Sequence, residues 1–580
     1  MPDDPLPLSL ARLVHAGFES YQAQFQLVTR RAEARFVGRD WLGAQRDAHE
    51  RLGLYSQFTN WVVREVCQAL DGRQGDPALW ADARVGYLAL AAQRDDAELA
   101  LTFFNSVARR VLRTVGVGAE VNFLPADFAR ITAPPASQAV RRYPGGGGLV
   151  NLLVGVLRDL PFASAFADLD GDAALAAAAL ARDLEKLAPG AAIEALELVP
   201  APFYRNKGAY LVGRLLAGEV QVPLVLALVH PAEGMRVDAV LTTPQEASVV
   251  FSFTRSYFHI EPVCAGALVA FLAELMPLKP VEELYTAIGC NKHGKTLLYH
   301  ALVRQLEDPE ARFEIAEGEP GLVMVVFALP TFNVVFKIIR DHFGAPKTTT
   351  RAEVEAKYHL VFVHDRVGRL ADAQAFRNLG FRKDRFSAEL LEELGKEAAG
   401  SVRIEGDRVI VRHLYTERRV TPLNLYLRQA TPAQAREAIL DYGNAIRDLA
   451  AANIFTGDML LKNFGVTRQG RVIFYDYDEL CLLTEVRIRD LPEAKDESDE
   501  WGAEPWFSVA EGDVFPEEFR HFLVIPGPLG DAFLSAHADL LTTEFWRRMQ
   551  GLAVEGELAD VFPYRAERRL REGGKGGRGE

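Results

Sequence analysis

Apolar residues recur at three- and four-residue spacing through "LARLVHAGFESYQAQFQLVTRRAEARF" and again through "LALTFFNSVARRVLRTV", which predicts helices over residues 7–115. "LDGDAALAAAALARDLEKL" is alanine-rich, and its composition favours a further helix. Between about residues 193 and 262 the pattern changes to short apolar runs separated by turn residues. "AIEALELVP", "GAYLVGRLLAG", "VQVPLVLALVH" and "RVDAVLTT" predict a small sheet. Helices return in "AGALVAFLAELM" and "PVEELYTAIGC".

A new pattern begins near residue 311, where "RFEIAEGEPGLVMVVFALPTFNVVFKIIRD" reads strand, turn, strand, turn, strand. A helical stretch follows in "RAEVEAKYHLVFVHDRVGRL", then a strand pair around the Gly-Asp turn of "VRIEGDRVIVRHLYTERRV". In "TPAQAREAILDYGNAIRDLAAANIF", Thr431 caps a helix, Pro432 suits its first turn and Gln434 completes a capping box. Ile439, Tyr442, Ile446 and Leu449 then line one face. This succession is that of a two-lobed kinase. The expected class is α+β: a mostly helical N-terminal regulatory domain with a small β-sheet over 1–310, then a C-terminal bilobal protein-kinase-like domain over 311–580.

Length and composition agree. A chain of 580 residues exceeds the roughly 250–300 residues at which one core stops growing. With 49% hydrophobic and 25% charged residues it has the balance of a soluble globular protein. The net charge of −14 argues against a nucleic-acid partner. The basic stretches "RRYPGGGG" and "AERRLREGGKGGRGE" read as solvated linkers or ends. Cys67, Cys264, Cys290 and Cys481 are scattered without a C-x-x-C pair, as suits reduced thiols in a cytoplasm. The start "MPDDPLPLSLARLVHAG" lacks the basic region of a signal peptide. No apolar run approaches the roughly 20 residues of a membrane span. A cytoplasmic protein without membrane contact is expected.

Two motifs compete for a nucleotide. "GCNKHGKT", Gly289 to Thr296, matches a phosphate-binding loop in every letter. That loop needs a buried strand before it and a parallel sheet around it, whereas "VEELYTAI" is polar and helical in spacing. A solvated turn is expected, or a basic turn touching a regulatory nucleotide through Lys292 or Lys295. "CLLTEVR" formally matches a cysteine-phosphatase signature, but it lacks the glycines that let backbone N–H groups wrap a phosphate, and Glu485 would repel one.

The looser pattern meets every chemical need of phosphoryl transfer. Lys337 lies in the β-branched "NVVFKII", suited to orienting phosphates. "AEGEPGLVMVVF" offers a covering turn with Gly318 and Gly321. Asp458 in "GDMLLKN" is followed five residues later by Asn463, and Asp476 sits after the apolar strand "RVIFY". Asp458 is the candidate for the incoming hydroxyl; Asn463 and Asp476 offer oxygens to magnesium. Thr456-Gly457 stands where kinases carry His-Arg, Tyr477-Asp478 replaces Phe-Gly, and Lys462 sits beside Asn463. The helix carboxylate pairing Lys337 is open between Glu353 and Glu355. A small-molecule kinase or a pseudokinase scaffold are the competing readings.

"FYRNKGAYLVGR", "FTRSYF", "AIGCNKHGKT", "VFKIIRDHFGAPK", "HDRVGRLAD", "YGNAIRDLAAANIFTGDMLLKNFGVTRQGRVIFYDYDEL" and "GDVFPEEFRHFL" resemble the bacterial isocitrate dehydrogenase kinase/phosphatase family over nearly the whole chain, apart from 165–190 and the tail. The resemblance implies a bifunctional enzyme. It would phosphorylate a serine of NADP-dependent isocitrate dehydrogenase and remove that phosphate, dividing carbon between the citric acid cycle and the glyoxylate bypass. No separate hydrolase constellation is visible, so one active site is expected to run both reactions with ATP, ADP and Mg2+ (or Mn2+); the resemblance implies AMP as an allosteric effector on the N-terminal half. The family's nucleotide loop falls on Ala316, Glu317, Gly318, Glu319, Pro320, Gly321 and Leu322, its nucleotide lysine on Lys337 and an active-site residue on Asp372. The residues alone make Asp372 a helix-start aspartate. Asp478 is the candidate for orienting water in dephosphorylation, with Glu479 in reserve, and 506–523 for docking the protein substrate. A homodimer is left open.

Overall fold

The computed structural model describes residues 5–571 apart from 117, 119, 132–133, 253–256, 263, 318–320, 345–346, 348, 365, 493–506, 524, 526 and 558–559. Four helices, Leu6–Val37, Trp41–Leu70, Pro77–Ala91 and Ala97–Leu112, fill the segment where the 3.6-residue period runs. Their apolar faces meet over Phe18, Tyr21, Tyr55, Trp80, Tyr87, Phe103 and Phe104. No helix among the described residues is long and apolar enough to cross a membrane.

The regulatory sheet is antiparallel, in the order Arg141–Pro144, Ile193–Leu198, Gly208–Ala217, Val220–Val229, Arg236–Leu241, with Phe203–Arg205 paired to Gly208–Ala217. Its first strand corrects the reading of "RRYPGGGG" as a solvated linker, because Arg141 to Pro144 pair with Leu198 to Ala195. At Gly145 a Cβ would lie 2.2 Å from the Ile193 carbonyl oxygen, so glycine there permits backbone contact.

The basic segment up to Arg571 is tied down as well. Arg569 clamps Asp238 with two bonds of 2.9 Å, and Arg571 reaches Asp172 at 2.6 Å. Both carboxylates are buried, Asp238 on the sheet and Asp172 on helix Leu169–Leu187, so each arginine neutralises a charge withdrawn from water. The segment after the kinase helices thus ties back to the N-terminal half.

In the kinase region the sheet order is Ala373–Arg382, Arg408–Arg418, Val334–Ile339, Met324–Ala328, Glu314–Ile315, with Val402–Glu405 paired to Arg408–Arg418. The helix Arg351–His364 packs beside it. The second lobe is built on Pro432–Ala451, whose Thr431–Gln434 capping box forms as predicted. Strand Ala373–Arg382 was not foreseen: Asp372 opens a strand, not a helix. Leu370 already forms a bridge with Phe474, so the chain is extended before Asp372.

Candidate active site

Lys337 lies on the central strand of the kinase sheet, and its ammonium is largely buried. Its Nζ lies 2.8 Å from Glu417 Oε2 and donates to the Tyr475 carbonyl at 3.0 Å. Glu353 and Glu355 do not fill this role. Glu353 accepts from the Thr350 backbone N–H at 2.7 Å, capping its own helix, and Glu355 lies 3.5 Å from His413. Sequence reasoning missed Glu417 because it sits in a strand. The signal is one of register: Lys337 faces Tyr415 across the ladder, so Glu417 is its diagonal neighbour on the same face.

Glu417 is held in turn by the helix, through the Tyr358 hydroxyl donating at 2.9 Å. The Tyr358 ring stacks on Tyr415 with centroids 3.8 Å apart. Burial pushes the Glu417 carboxyl above its ordinary value, and the adjacent Lys337 ammonium opposes that shift.

The other lobe meets this pair through a continuous chain of hydrogen bonds. Tyr475, whose carbonyl receives Lys337, donates its N–H to the Asn463 carbonyl at 3.1 Å. Asn463 Nδ2 donates to the Asp458 carbonyl at 3.4 Å, and Asp458 Oδ1 accepts from the Leu460 N–H at 3.0 Å. Lys337, Tyr475 with its neighbour Asp476, Asn463 and Asp458 are therefore linked across the two lobes. Lys462 is exposed beside them, its carbonyl accepting from the Tyr475 hydroxyl.

A buried ion network fixes this floor. The Arg369 guanidinium grips Asp441 with two bonds of 2.8 Å and Asp448 with one of 2.7 Å. Asp441 also accepts from the Val472 N–H at 2.7 Å, which docks the strand leading to Asp476 against helix Pro432–Ala451. Thr456-Gly457 has a steric cause. Gly457 has φ +71°, and a Cβ there would lie 2.6 Å from Glu479 Cβ and 2.8 Å from its carbonyl oxygen. No other residue fits that approach.

Asp476 lies beyond strand Val472–Phe474, as expected, and Asp478 follows it outside any strand. The alternation persists: Tyr477 is buried between them, its hydroxyl donating to the Ala371 carbonyl at 2.7 Å. Burial, and next the Asp476 carboxylate, push Asp478 up to about 6. Lys357 Nζ donates to the Asp478 carbonyl at 2.6 Å, and Lys347 Nζ lies 2.7 Å from Glu479 Oε1.

For a magnesium ion the fit rests on the donors. Asn463 turns its amide N–H2 to the Asp458 carbonyl, which leaves its oxygen as the group to offer, and Asp476 adds a carboxylate. Two hard oxygen groups suit an ion that takes its remaining ligands from phosphate and water. Among the described residues no group of three or more His, Cys, Asp or Glu is gathered to hold a metal without such help.

Above the cleft, Glu314–Ile315 and Met324–Ala328 form the hairpin expected of a covering loop, with the Ala316 N–H donating to the Val326 carbonyl at 3.0 Å. Gly321 is held by Arg340 Nε at 3.0 Å, and Leu322 is exposed. Glu317 is described at the tip; Gly318, Glu319 and Pro320 lie outside the described residues. Asp372 lines a different cavity, with Lys279, Glu283, Thr286 and Arg418, to which none of Lys337, Asp458, Asn463 or Asp476 contributes. Trp506 also lies outside the described residues, and within the expected docking segment Asp513 is tied to Arg487 and Arg489.

The two decoys resolve cleanly. The Gly289–Thr296 segment opens helix Asn291–Gln305 and follows helix Val281–Ala287, with no strand before it. Nor is it a solvated turn, since Gly289, His293 and Gly294 are buried. A Cβ at Gly294 would lie 2.3 Å from Thr286 Oγ1 and 2.4 Å from the Glu282 carbonyl oxygen, so that glycine serves helix contact. Lys295 donates to the Ala375 carbonyl at 2.5 Å and lies over the Phe376 ring, a bond to the kinase sheet. At Cys481, burial and then Glu485 push the thiol up to about 11, the reverse of a nucleophilic cysteine.

Residues 11–310 match the model of the isocitrate dehydrogenase kinase/phosphatase (AceK) regulatory domain, and residues 311–566 match that of its kinase domain. A protein named isocitrate dehydrogenase kinase/phosphatase from Anaeromyxobacter sp. (strain Fw109-5) is 51% identical over 563 residues, covering 97% of this chain and 98% of its own length. Proteins of the same name from Anaeromyxobacter dehalogenans (strain 2CP-C) and Xanthomonas campestris pv. campestris (strain 8004) are 49% and 43% identical, over 97% and 98% of this chain and 97% and 100% of their own lengths. Two domain models spanning nearly the full length, and a cleft with kinase order in both lobes, place the chain in the isocitrate dehydrogenase kinase/phosphatase family.

Proposed function

We propose that the chain phosphorylates a serine of NADP-dependent isocitrate dehydrogenase with ATP and, in the same cleft, removes that phosphate. The observation that carries this reading is the hydrogen-bonded path from Lys337 through Tyr475 and Asn463 to Asp458. It ties the group suited to phosphates to the group suited to a hydroxyl.

In the forward direction Lys337, held beside Glu417, orients the transferred phosphates. Asp458 accepts or orients the serine hydroxyl. Asn463 and Asp476 would hold magnesium, which supplies neutralisation of the charge on the phosphates. Lys462 sits at the mouth of the site, and Ala316 to Leu322 cover the nucleotide. Positioning and charge neutralisation, not covalent chemistry, provide the acceleration. For dephosphorylation, with ADP retained, Asp478 orients water; Lys357 fixes its backbone. The resemblance also assigns Asp372 to the active site, although it lines a separate cavity with Lys279 and Arg418. AMP acts through the N-terminal half, and the protein works in the cytoplasm.

The test is incubation of the purified chain with labelled ATP, magnesium and purified isocitrate dehydrogenase, followed by addition of ADP without ATP. Label entering a serine and then leaving supports the reading. If Asp458→Ala abolishes incorporation yet releases label at the wild-type rate, one shared site is wrong. No incorporation by the wild type would remove the kinase assignment.

A further inference from the structure

A cavity of about 160 Å³ lies where the regulatory sheet, the end of helix Arg351–His364 and the C-terminal segment meet. A smaller one of about 60 Å³ adjoins it, the two sharing Arg205, Asn206 and Arg366. None of Lys337, Asp458, Asn463, Asp476 or residues 289–296 lines either space. It is a second site, apart from both nucleotide motifs.

Basic groups dominate its walls. Lys207 and His364 join Arg205 and Arg366 in the larger cavity, and His49 and His259 line the smaller. Of the three acids there, Asp560 lies 2.9 Å from Lys207, Asp47 is held by Arg31 and Arg35 at 3.0 and 2.8 Å, and Glu557 is exposed. Arg366 differs. Its carbonyl accepts from Asn206 Nδ2 at 2.7 Å, but among the described residues its guanidinium has no carboxylate partner. Burial alone acts on it, lowering its pKa. His259, 8% exposed, has a buried Nε2 without a hydrogen-bond partner among the described residues.

A guanidinium withdrawn from water without a counter-charge is costly, and an oxyanion meets its planar fork with two parallel bonds. Leu42, Leu228, Val229, Val561 and Phe562 add apolar lining to the same cavity. We propose that this junction cavity binds a small organic anion, with a carboxylate or phosphate head on Arg366 and its body against the apolar lining. Its occupancy bears on the active site, because helix Arg351–His364 also carries Lys357 and Tyr358, which hold Asp478 and Glu417. That consequence rests on the function proposed above; the binding does not.

The test is calorimetric titration of the full chain, with ADP and magnesium saturating, by phenyl phosphate, benzoate and the neutral benzyl alcohol. At least one anion is expected to bind with a single site and to weaken at least tenfold in both Arg366→Gln and Leu42→Trp. The tighter anion identifies the head group. Leu42 is 52% exposed, so its variant fills the cavity even should Arg366→Gln fail to fold. No saturable anion binding, equal binding in Leu42→Trp, or equal binding of benzyl alcohol overturns the proposal. With binding intact, a kinase-to-phosphatase rate ratio that moves with the ligand supports the coupling. An unmoved ratio removes the coupling alone.

Discussion

Gly289–Thr296 and Asp458–Asp476 present opposite cases: the first has every letter of a nucleotide motif and the second only its spacing. The first lies between two helices, where its glycine allows close packing and its lysine bonds the kinase sheet. The second joins two lobes through backbone and side-chain bonds that end on a buried lysine–carboxylate pair. Phosphate chemistry requires convergent groups, and convergence comes from the surrounding elements.

The largest effect that would separate the two regions is at Asp458. Asp458→Ala should lower phosphorylation of isocitrate dehydrogenase by about 10²–10⁴-fold, the range for a lost acid–base group, with an unchanged thermal unfolding curve. Near-normal turnover would break the assignment. Next comes Glu417→Ala, which strands the largely buried Lys337. Loss of one partner from such a pair costs about 3 kcal/mol, and weakened ATP binding should accompany the lower stability, both read by melting with and without nucleotide.

Gly457→Ala should follow, since both the positive φ and the approach of Glu479 oppose a side chain. Strain of about 1–2 kcal/mol in φ alone, plus the displacement of Glu479, should reduce kinase activity more than it reduces the melting temperature. Asp478→Asn sharpens the picture within the cleft: dephosphorylation should fall further than phosphorylation, and an equal fall would deny Asp478 a separate role. The smallest effect belongs to the perfect motif. Lys295→Ala should leave ATP turnover without effectors within a few-fold of wild type, whereas a phosphate-loop lysine would take nearly all of it away.

Much of this was legible from periodicity. The helical N-terminal segment, the small sheet after residue 193 and the capped helix from Pro432 follow directly from local pattern. Lys337, Asp458, Asn463 and Asp476 could be singled out because their order along the chain is set by the elements that carry them. What could not be read depends on partners distant in sequence. Glu417 is recognisable only once Arg408–Arg418 is known to lie beside Val334–Ile339. Arg141–Pro144 looked like linker because an edge strand needs little apolar character, and Arg569 and Arg571 looked solvated because their acids, Asp238 and Asp172, lie far upstream. Asp372 was misread since the strand after it, "AQAFRNLGFR", mixes polar and apolar residues without a clear period.

The central claim is that the reacting nucleotide sits at Lys337 and not on Gly289–Thr296. An acyl-phosphate derivative of ATP, which transfers its acyl group to the lysine beside the bound phosphates, tests it directly when the labelled residue is identified by peptide mass spectrometry. Label on Lys337 that ATP and magnesium suppress is the expected result. Label confined to Lys292 or Lys295, with Lys337 untouched, would contradict the account.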